Sequence, residues 1–309
     1  MSDIILRTII PILLLMGTGF LSRKLGILKS GDERILSAYV YFFALPALFF
    51  VTMTETNFTE ETLSLMLAGI IPILIALIIF ISLYLIFRFS KDTLYLLILS
   101  TIFGSLAFFG IPFITFAFPG TGESVATLGA ASISIVSVTA SITTLELYRH
   151  QQFRILAGLK LVVKKLSKNP LIISIFSGIL LSLFRIEIPM PISQPLHMLG
   201  STTSTVAIFM LGVFLYGRKY TNISKALKLS MLRIVFLPTV AFLTTMLFGL
   251  STFERSALIL MHGMPVAISM IVLSERYSFY KETIASLILI SSLGAGLYLN
   301  LWLLLLGHY

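Results

Sequence analysis

Two short stretches decide how this chain folds: FFGIPF at residues 108–113 and HGMPVA at residues 262–267. Each places a glycine two residues before a proline inside a long apolar run. Proline removes one helical hydrogen bond and clashes with the carbonyl four residues earlier, here that of Phe108 and of Met261. In hydrocarbon, backbone groups without partners are tolerated only where protein buries them or a wet cavity solvates them. Two such interruptions, at matching places in two halves, predict a transport site.

The composition of the whole chain is that of a membrane protein. Of its 309 residues, 57% are hydrophobic and 11% charged, and the mean hydropathy is +1.02. These values fit no ordinary soluble domain. We predict ten apolar spans of about 20 residues, each long enough to cross a bilayer. They lie near residues 4–22, 34–54, 63–87, 93–118, 125–147, 170–186, 196–217, 230–250, 254–275 and 283–306. The sequence thus predicts an all-α membrane protein without a separate soluble domain.

Basic residues are distributed unevenly between the two sides of the predicted spans. Cytoplasmic loops collect Lys and Arg, and with the N-terminus outside, 19 of the 22 basic residues fall on the inner side. The inner residues are Arg23, Lys24, Lys29, Arg34, Arg88, Lys91, Arg149, Arg154, Lys160, Lys164, Lys165, Lys168, Arg218, Lys219, Lys225, Lys228, Arg233, Arg276 and Lys281. We therefore predict a multi-pass protein of the cell membrane with both termini extracytoplasmic. The net charge of +9 is explained by orientation in the lipid bilayer and implies no nucleic-acid partner.

The ten predicted spans divide into two halves of five. The first repeat is predicted at residues 1–148, a short basic cytoplasmic connector at 149–169, and the second repeat at 170–309. Because each half has an odd number of spans, the second must enter the membrane in the opposite orientation. The two proline-broken helices are the fourth span of each half, spans 4 and 9. We predict two inverted five-helix repeats whose broken helices cross.

The crossing is predicted to bind an anion. We expect each following half-helix to have its proline, Pro112 or Pro265, in the first turn, and to present N–H groups and a positive dipole end that attract negative charge. Ser105 lies about two turns before the first proline and Ser269 about one turn after the second. Either hydroxyl can bond a carboxylate or, alternatively, its own helix backbone, and the sequence leaves both open. The other predicted contacts are Phe109, Gly110, Ile111, Phe113, Met264 and Val266.

No ionisable relay is predicted at membrane depth. All 13 acidic residues lie at or beyond the ends of the predicted spans, whereas proton and cation pumps usually carry charged residues inside the membrane. This favours facilitated or potential-driven flux of an organic anion. His262 is the exception, because it could sense a proton or be a neutral structural histidine. The sequence implies no metal and no cofactor.

An ordered set of short stretches resembles the auxin efflux carrier family, which includes the plant PIN-FORMED carriers and microbial members. The first-half stretches are IIP at 9–11, GTGFL at 17–21, RKLG at 23–26, LPAL at 45–48 and GIPF at 110–113. The second-half stretches are KNPLII at 168–173, FMLG at 209–212 and MPVA at 264–267. The resemblance implies a scaffold part of spans 1, 2, 6 and 7 and a transport part of spans 3–5 and 8–10. Plant members form homodimers, so the resemblance also implies that this protein forms a homodimer.

The chain departs from the family pattern at two positions of the implied site. Where the family usually has asparagine, this sequence has Ser105 and Ser269. Serine is shorter and lacks the amide donor, so specificity for plant auxin is not implied. The long cytoplasmic loop of many plant members is also missing. The resemblance implies a compact microbial carrier of an auxin-like monocarboxylate or of a small dicarboxylate such as malonate or malate.

Three other functions compete with this interpretation. A sodium-coupled organic-anion symporter of the bile-acid type shares the architecture but needs oxygen ligands near the crossing. A membrane sensor without transport would have the same sequence features. An intramembrane enzyme needs a serine elbow, a zinc motif or paired aspartates, and none occurs. His197 and Ser201 are four residues apart but have no further catalytic partner, so we predict that the chain is not an enzyme.

Overall fold

A computed structural model describes residues 2–149, 163–217 and 220–308, so most of the predicted connector at 149–169 lies outside the described residues. The helices of the first half are α1 Ser2–Lys24, α2 Asp32–Glu55, α3 Glu60–Phe87, α4 Lys91–Ile102, α5 Leu106–Ala117 and α6 Gly122–Arg149. Those of the second half are α7 Pro170–Leu183, α8 Met190–Leu215, α9 Ile223–Thr245, α10 Thr252–His262, α11 Ser269–Tyr277 and α12 Lys281–Leu305. The described residues form no β-strand beyond one isolated bridge.

Several helices are suited to a bilayer. Helices α2, α3, α6, α8, α9 and α12 are long and apolar enough to cross a membrane, and α5 and α7 are shorter apolar helices. Large apolar side chains are exposed on their outer surfaces, among them Ile78, Phe176 and Leu297. Such a surface is typical of a protein whose exterior contacts lipid. The prediction of an all-α membrane protein is confirmed.

Three helices contain a π-helical turn that ends two residues before a proline. These turns are Val40–Ala44 before Pro46, Leu106–Gly110 before Pro112, and Leu232–Phe236 before Pro238. The wider turn lets a helix continue past a ring that would otherwise clash with the carbonyl four residues earlier. For Pro238 that carbonyl belongs to Ile234, and it accepts the indole N–H of Trp302 at 2.8 Å. These prolines therefore do not end their helices.

The positions of the two chain breaks differ from those that the sequence predicted. In the first half, residues 103–105 separate α4 from α5, and Pro112 lies inside α5 because the π-turn accommodates it. In the second half, α10 ends at His262 and α11 begins at Ser269. Pro265 thus lies within the break and precedes α11 by four residues. The expected proline in the first helical turn is therefore wrong for Pro265. Pro112 does lie in the first turn of the α-helical part, Ile111–Ala117, but the π-turn precedes it and the break lies earlier.

The helices pack as two groups. The first group is α1, α2, α7 and α8, and the second contains α3–α6 and α9–α12. Glycines allow the close approach of α1 and α8 in the first group. A Cβ on Gly19 would lie 2.0 Å from the carbonyl oxygen of Phe209, and one on Gly212 would lie 1.8 Å from that of Met16. Both chain breaks belong to the second group and face the first.

Candidate functional site at the crossing of two broken helices

The two chain breaks meet and pair through their backbones. They form an antiparallel bridge, in which the Ser105 N–H donates to the Pro265 carbonyl at 2.7 Å. In the same bridge the Ala267 N–H donates to the Phe103 carbonyl at 3.0 Å. Interrupted helices leave backbone groups that hydrocarbon cannot satisfy, and here each break satisfies groups of the other. The crossing is therefore held by main-chain atoms.

A fully buried arginine holds further carbonyls at the crossing. Arg233 lies in the π-turn of α9, and 0% of its surface is exposed. Its Nε donates to the Met264 carbonyl at 2.7 Å, and its Nη1 donates to the Thr101 carbonyl. These carbonyls come from the second break and from the last turn of α4. One guanidinium thus joins the two broken helices to α9.

The third nitrogen of this guanidinium packs against a glycine. Nη2 of Arg233 has no hydrogen-bond partner among the described residues. A Cβ built on Gly104 would lie 1.5 Å from Nη2. Only glycine leaves room for the guanidinium at that position, and Gly104 is itself part of the first break.

Sequence reasoning missed Arg233 because it assigned the residue to a cytoplasmic loop. The structure places it inside α9 at the level of the crossing, so the expected absence of charge at membrane depth is wrong here. A signal was present, because the predicted span 230–250 contains Arg233 and no charged residue follows it before Glu254. A charge inside an apolar span is a functional candidate by default.

A cavity of about 680 Å³ lies between the two helix groups and reaches the crossing. One wall comes from α2 and the start of α7, and the other from the first break, α6 and the start of α11. Gly104, Ser105 and Ala267 of the crossing line it, and so does Arg34 at the start of α2. Among the lining residues that the structure describes there is no carboxylate.

The serines on the cavity wall are of two kinds. Ser137 donates to the Ile133 carbonyl of its own helix at 2.8 Å. The hydroxyls of Ser105, Ser134 and Ser269 line the same cavity and make no hydrogen bond to another described residue. The structure therefore gives no support to the alternative in which Ser105 and Ser269 bond their own helices. These hydroxyls can bind a ligand.

The N-terminal end of α5 faces the same cavity. Leu106, Ala107 and Phe108 line it, and the first N–H groups of a helix have no carbonyl partner within that helix. The positive end of the helix dipole adds to the attraction for an anion. The anion-attracting end expected at Pro112 therefore lies about two turns earlier, beside Ser105.

The other predicted contact residues lie away from the cavity wall. Phe109 and Phe113 stack with ring centroids 6.5 Å apart and line a separate space of about 20 Å³ against α1 and α12. The remaining residues, Gly110, Ile111, Pro112, Met264, Pro265 and Val266, are buried and do not line the larger cavity. The structure thus places Ser105 and Ser269 on the wall of one cavity, whereas the predicted apolar contacts lie away from that cavity.

His262, the candidate proton sensor, is also buried behind the crossing. It ends α10, is fully enclosed, and lies against the backbone of Gly69 on α3. It does not line the cavity.

The pair weighed as a catalytic candidate is separated by its hydrogen bonds. His197 lies 2.8 Å from a carboxylate oxygen of Glu55, and the Ser201 hydroxyl donates to the Met198 carbonyl. The hydrogen bonds of His197 and Ser201 are thus made to other residues and not to each other.

A polar cluster lies at the end of the second group nearest the connector. Glu146, in the last turn of α6, is 1% exposed and pairs with Lys165 and with the Tyr277 hydroxyl. Lys165 also donates to Tyr277 at 2.7 Å. The cluster links α6 and α11 to the segment that leads into α7.

A multi-helix membrane fold with a largely apolar cavity that carries hydroxyl groups at a crossing of broken helices is the architecture of a membrane transporter. The chain belongs to the family described as Membrane transport protein, whose model matches residues 4–303. This confirms the resemblance to the auxin efflux carriers.

Two relatives match nearly the whole chain. A transporter of the archaeon Methanocaldococcus jannaschii, "Uncharacterized transporter MJ1031", is 26% identical over 303 residues, covering 95% of this chain and 96% of the relative. "Uncharacterized transporter YfdV" of Escherichia coli K12 is 25% identical over 307 residues, covering 96% of this chain and 95% of the relative. Both names describe transporters and neither states a substrate.

Proposed function

We propose that this protein carries a small organic anion across the cell membrane by alternating access. The observation that supports the proposal is the convergence of the Ser105 and Ser269 hydroxyls and the start of α5 in one cavity. Hydroxyl groups, free N–H groups and a positive dipole end all favour a carboxylate. No carboxylate among the described lining residues would repel it.

The cavity suits a small carboxylate with an apolar body. Its volume of about 680 Å³ lies within the usual range for small-molecule sites, roughly 300–1,000 Å³. Tyr41, Phe42 and Phe49 give the wall on α2 an apolar surface opposite the serines. An auxin-like monocarboxylate would place its acid group on the serines and its ring on this wall. A small dicarboxylate is the second candidate, with Arg34 facing the second acid group.

The two helix groups supply the parts that alternating access requires. In our proposal α1, α2, α7 and α8 are the scaffold, and the second group moves against it with the bound anion. The ten predicted spans would form two inverted repeats, at residues 1–148 and 170–309, with both termini extracytoplasmic. The cavity end at Arg34 and Asn169 would then face the cytoplasm, so this conformation would be open inward. Exposed apolar surface on α1 and α7 leaves room for a homodimer through the scaffold.

Sodium coupling is less favoured than sodium-independent transport. A sodium site at the crossing would need backbone carbonyl oxygens. The Phe103 and Pro265 carbonyls accept backbone N–H groups, and those of Thr101 and Met264 accept Arg233. The sodium-coupled symporter of the bile-acid type and the sensor without transport are the alternatives that an experiment must separate.

Charge movement on a solid-supported membrane tests the proposal. Proteoliposomes would be presented with indole-3-acetate, malonate, malate and taurocholate, each with and without sodium, and with protein-free liposomes as the control. We expect a sodium-independent signal for a small carboxylate. A signal that requires sodium would support the symporter, and the absence of signal for every anion would support the sensor.

A further inference from the structure

Arg233 is a buried positive charge without a carboxylate partner. Arg233 forms no ion pair with a carboxylate of the described residues. Its guanidinium is held by two backbone carbonyls instead. A buried charge that no opposite charge compensates is costly, and within a membrane span it marks a function more often than a structural role.

The guanidinium lies directly behind the inner wall of the cavity. Nη2 has no hydrogen-bond partner in the described part of the chain, and it packs on Gly104. Gly104 and its neighbour Ser105 line the cavity on the other side. Gly104 thus lies between the guanidinium and the cavity, and the surrounding protein is buried and of low permittivity. The charge of Arg233 therefore acts on an anion in the cavity with little screening.

We propose that Arg233 is a built-in cation of the crossing, which occupies carbonyl ligands that a coupling cation would use and attracts the substrate anion from behind Gly104. Arg233 belongs to the second helix group, so the positive charge accompanies the anion when that group moves. It does not touch the anion and is a positioning residue. The inference rests on the proposed transport of an anion.

Two predictions distinguish a built-in cation from a merely structural arginine. Removing the charge weakens anion binding even when the fold is retained. Removing the guanidinium also leaves the Thr101 and Met264 carbonyls without their donors, and a small planar cation can bind there in its place. If Arg233 were merely structural, replacing it would lower the stability of the protein. The affinity for the anion would not change, and an added cation would have no specific effect.

The test compares Arg233→Met, Arg233→Lys and the control Lys228→Met, an exposed residue on the same helix. Flux and thermal unfolding of the purified proteins are measured with and without methylguanidinium at millimolar concentration. We expect Arg233→Met to raise the KM for the carboxylate roughly ten-fold and Arg233→Lys to raise it less. Methylguanidinium should raise the melting temperature of Arg233→Met and lower its KM. Wild type and Lys228→Met should not respond.

The outcomes separate this inference from the proposed function. Carboxylate flux with an unchanged KM in folded Arg233→Met overturns the inference and leaves the function standing, and sodium-dependent flux in wild type also overturns it. If wild type carries no carboxylate, the function fails, and the thermal response of Arg233→Met to methylguanidinium still decides whether the Thr101 and Met264 carbonyls form a cation site. If Arg233→Met does not fold, a ten-fold rise of KM in Arg233→Lys overturns the inference, whereas a KM near that of wild type supports it.

Discussion

The backbone N–H of Ser105 lies 2.7 Å from the carbonyl oxygen of Pro265. Each of these residues belongs to a different broken helix, so the serine that presents its hydroxyl to the cavity is fixed in place by the proline of the other half. A shift of either break therefore changes the position of the candidate anion site.

Replacing the cavity serines should weaken substrate binding. Ser105→Ala and Ser269→Ala each remove one hydroxyl that makes no hydrogen bond to another described residue, and a hydrogen bond to a charged group contributes about 1.5–3 kcal/mol. We expect KM for the carboxylate to rise roughly ten-fold in each variant, with unchanged thermal stability. Ser137→Ala is the matched control, because Ser137 lines the same cavity but bonds the Ile133 carbonyl. If the KM values of Ser105→Ala and Ser269→Ala equal that of the control Ser137→Ala, the hydroxyls of Ser105 and Ser269 do not contact the substrate.

Replacing the proline of the second break should impair turnover. Pro265→Ala permits α10 to extend into the break, because alanine supplies an N–H and accepts helical torsion angles. The bridge to Ser105 would then be lost while the protein stays folded. We expect most of the flux to be lost and the melting temperature to be retained. Pro72→Ala, in the uninterrupted helix α3, should keep its flux, and unchanged flux in Pro265→Ala would argue strongly against the crossing as the transport site.

Adding one methyl group at the first break should destabilise the crossing. A Cβ at residue 104 would lie 1.5 Å from Nη2 of Arg233, so Gly104→Ala must displace the guanidinium. We expect a loss of about 3 kcal/mol of stability and a loss of flux, measured by thermal unfolding and by transport. Gly294→Ala is the control, because the nearest atom to its Cβ is at 3.6 Å. A stable, active Gly104→Ala would contradict the close packing of Arg233 on the break.

The first helix group should be sensitive to the close approach of α1 and α8. A Cβ on Gly19 would lie 2.0 Å from the Phe209 carbonyl oxygen, whereas one on Gly17 meets nothing within 4 Å. Gly19→Ala should therefore lower the melting temperature, and Gly17→Ala, on the same helix, should leave it unchanged or raise it slightly. Identical unfolding of the two variants would show that this packing contributes little.

The sequence predicted the crossing but not its details. The two glycine–proline stretches identified which segments meet, because a proline within a membrane helix leaves backbone groups that need burial. The first break was placed too late, because a π-turn absorbs Pro112 and the actual gap is at residues 103–105. Nothing in a local proline pattern distinguishes a widened turn from a break.

Two further features needed the three-dimensional structure. Phe109 and Phe113 were expected in the cavity but face α1 and α12, because the rotation of a short helix after a break is not fixed by its sequence periodicity. Arg233 was counted as a loop residue, because the rule for positive charges describes loops and not single buried arginines. Its carbonyl partners come from segments far away in the sequence.

The most direct test of the account is the accessibility of the cavity during transport. The chain contains no cysteine, so Val138→Cys, on the α6 wall of the cavity, gives a single reactive site outside the serine set. We predict that a membrane-impermeant thiol reagent labels it from the cytoplasmic side and that a saturating transported carboxylate slows the labelling. Labelling at a rate that the carboxylate does not change would contradict the central claim that this cavity holds and carries the anion.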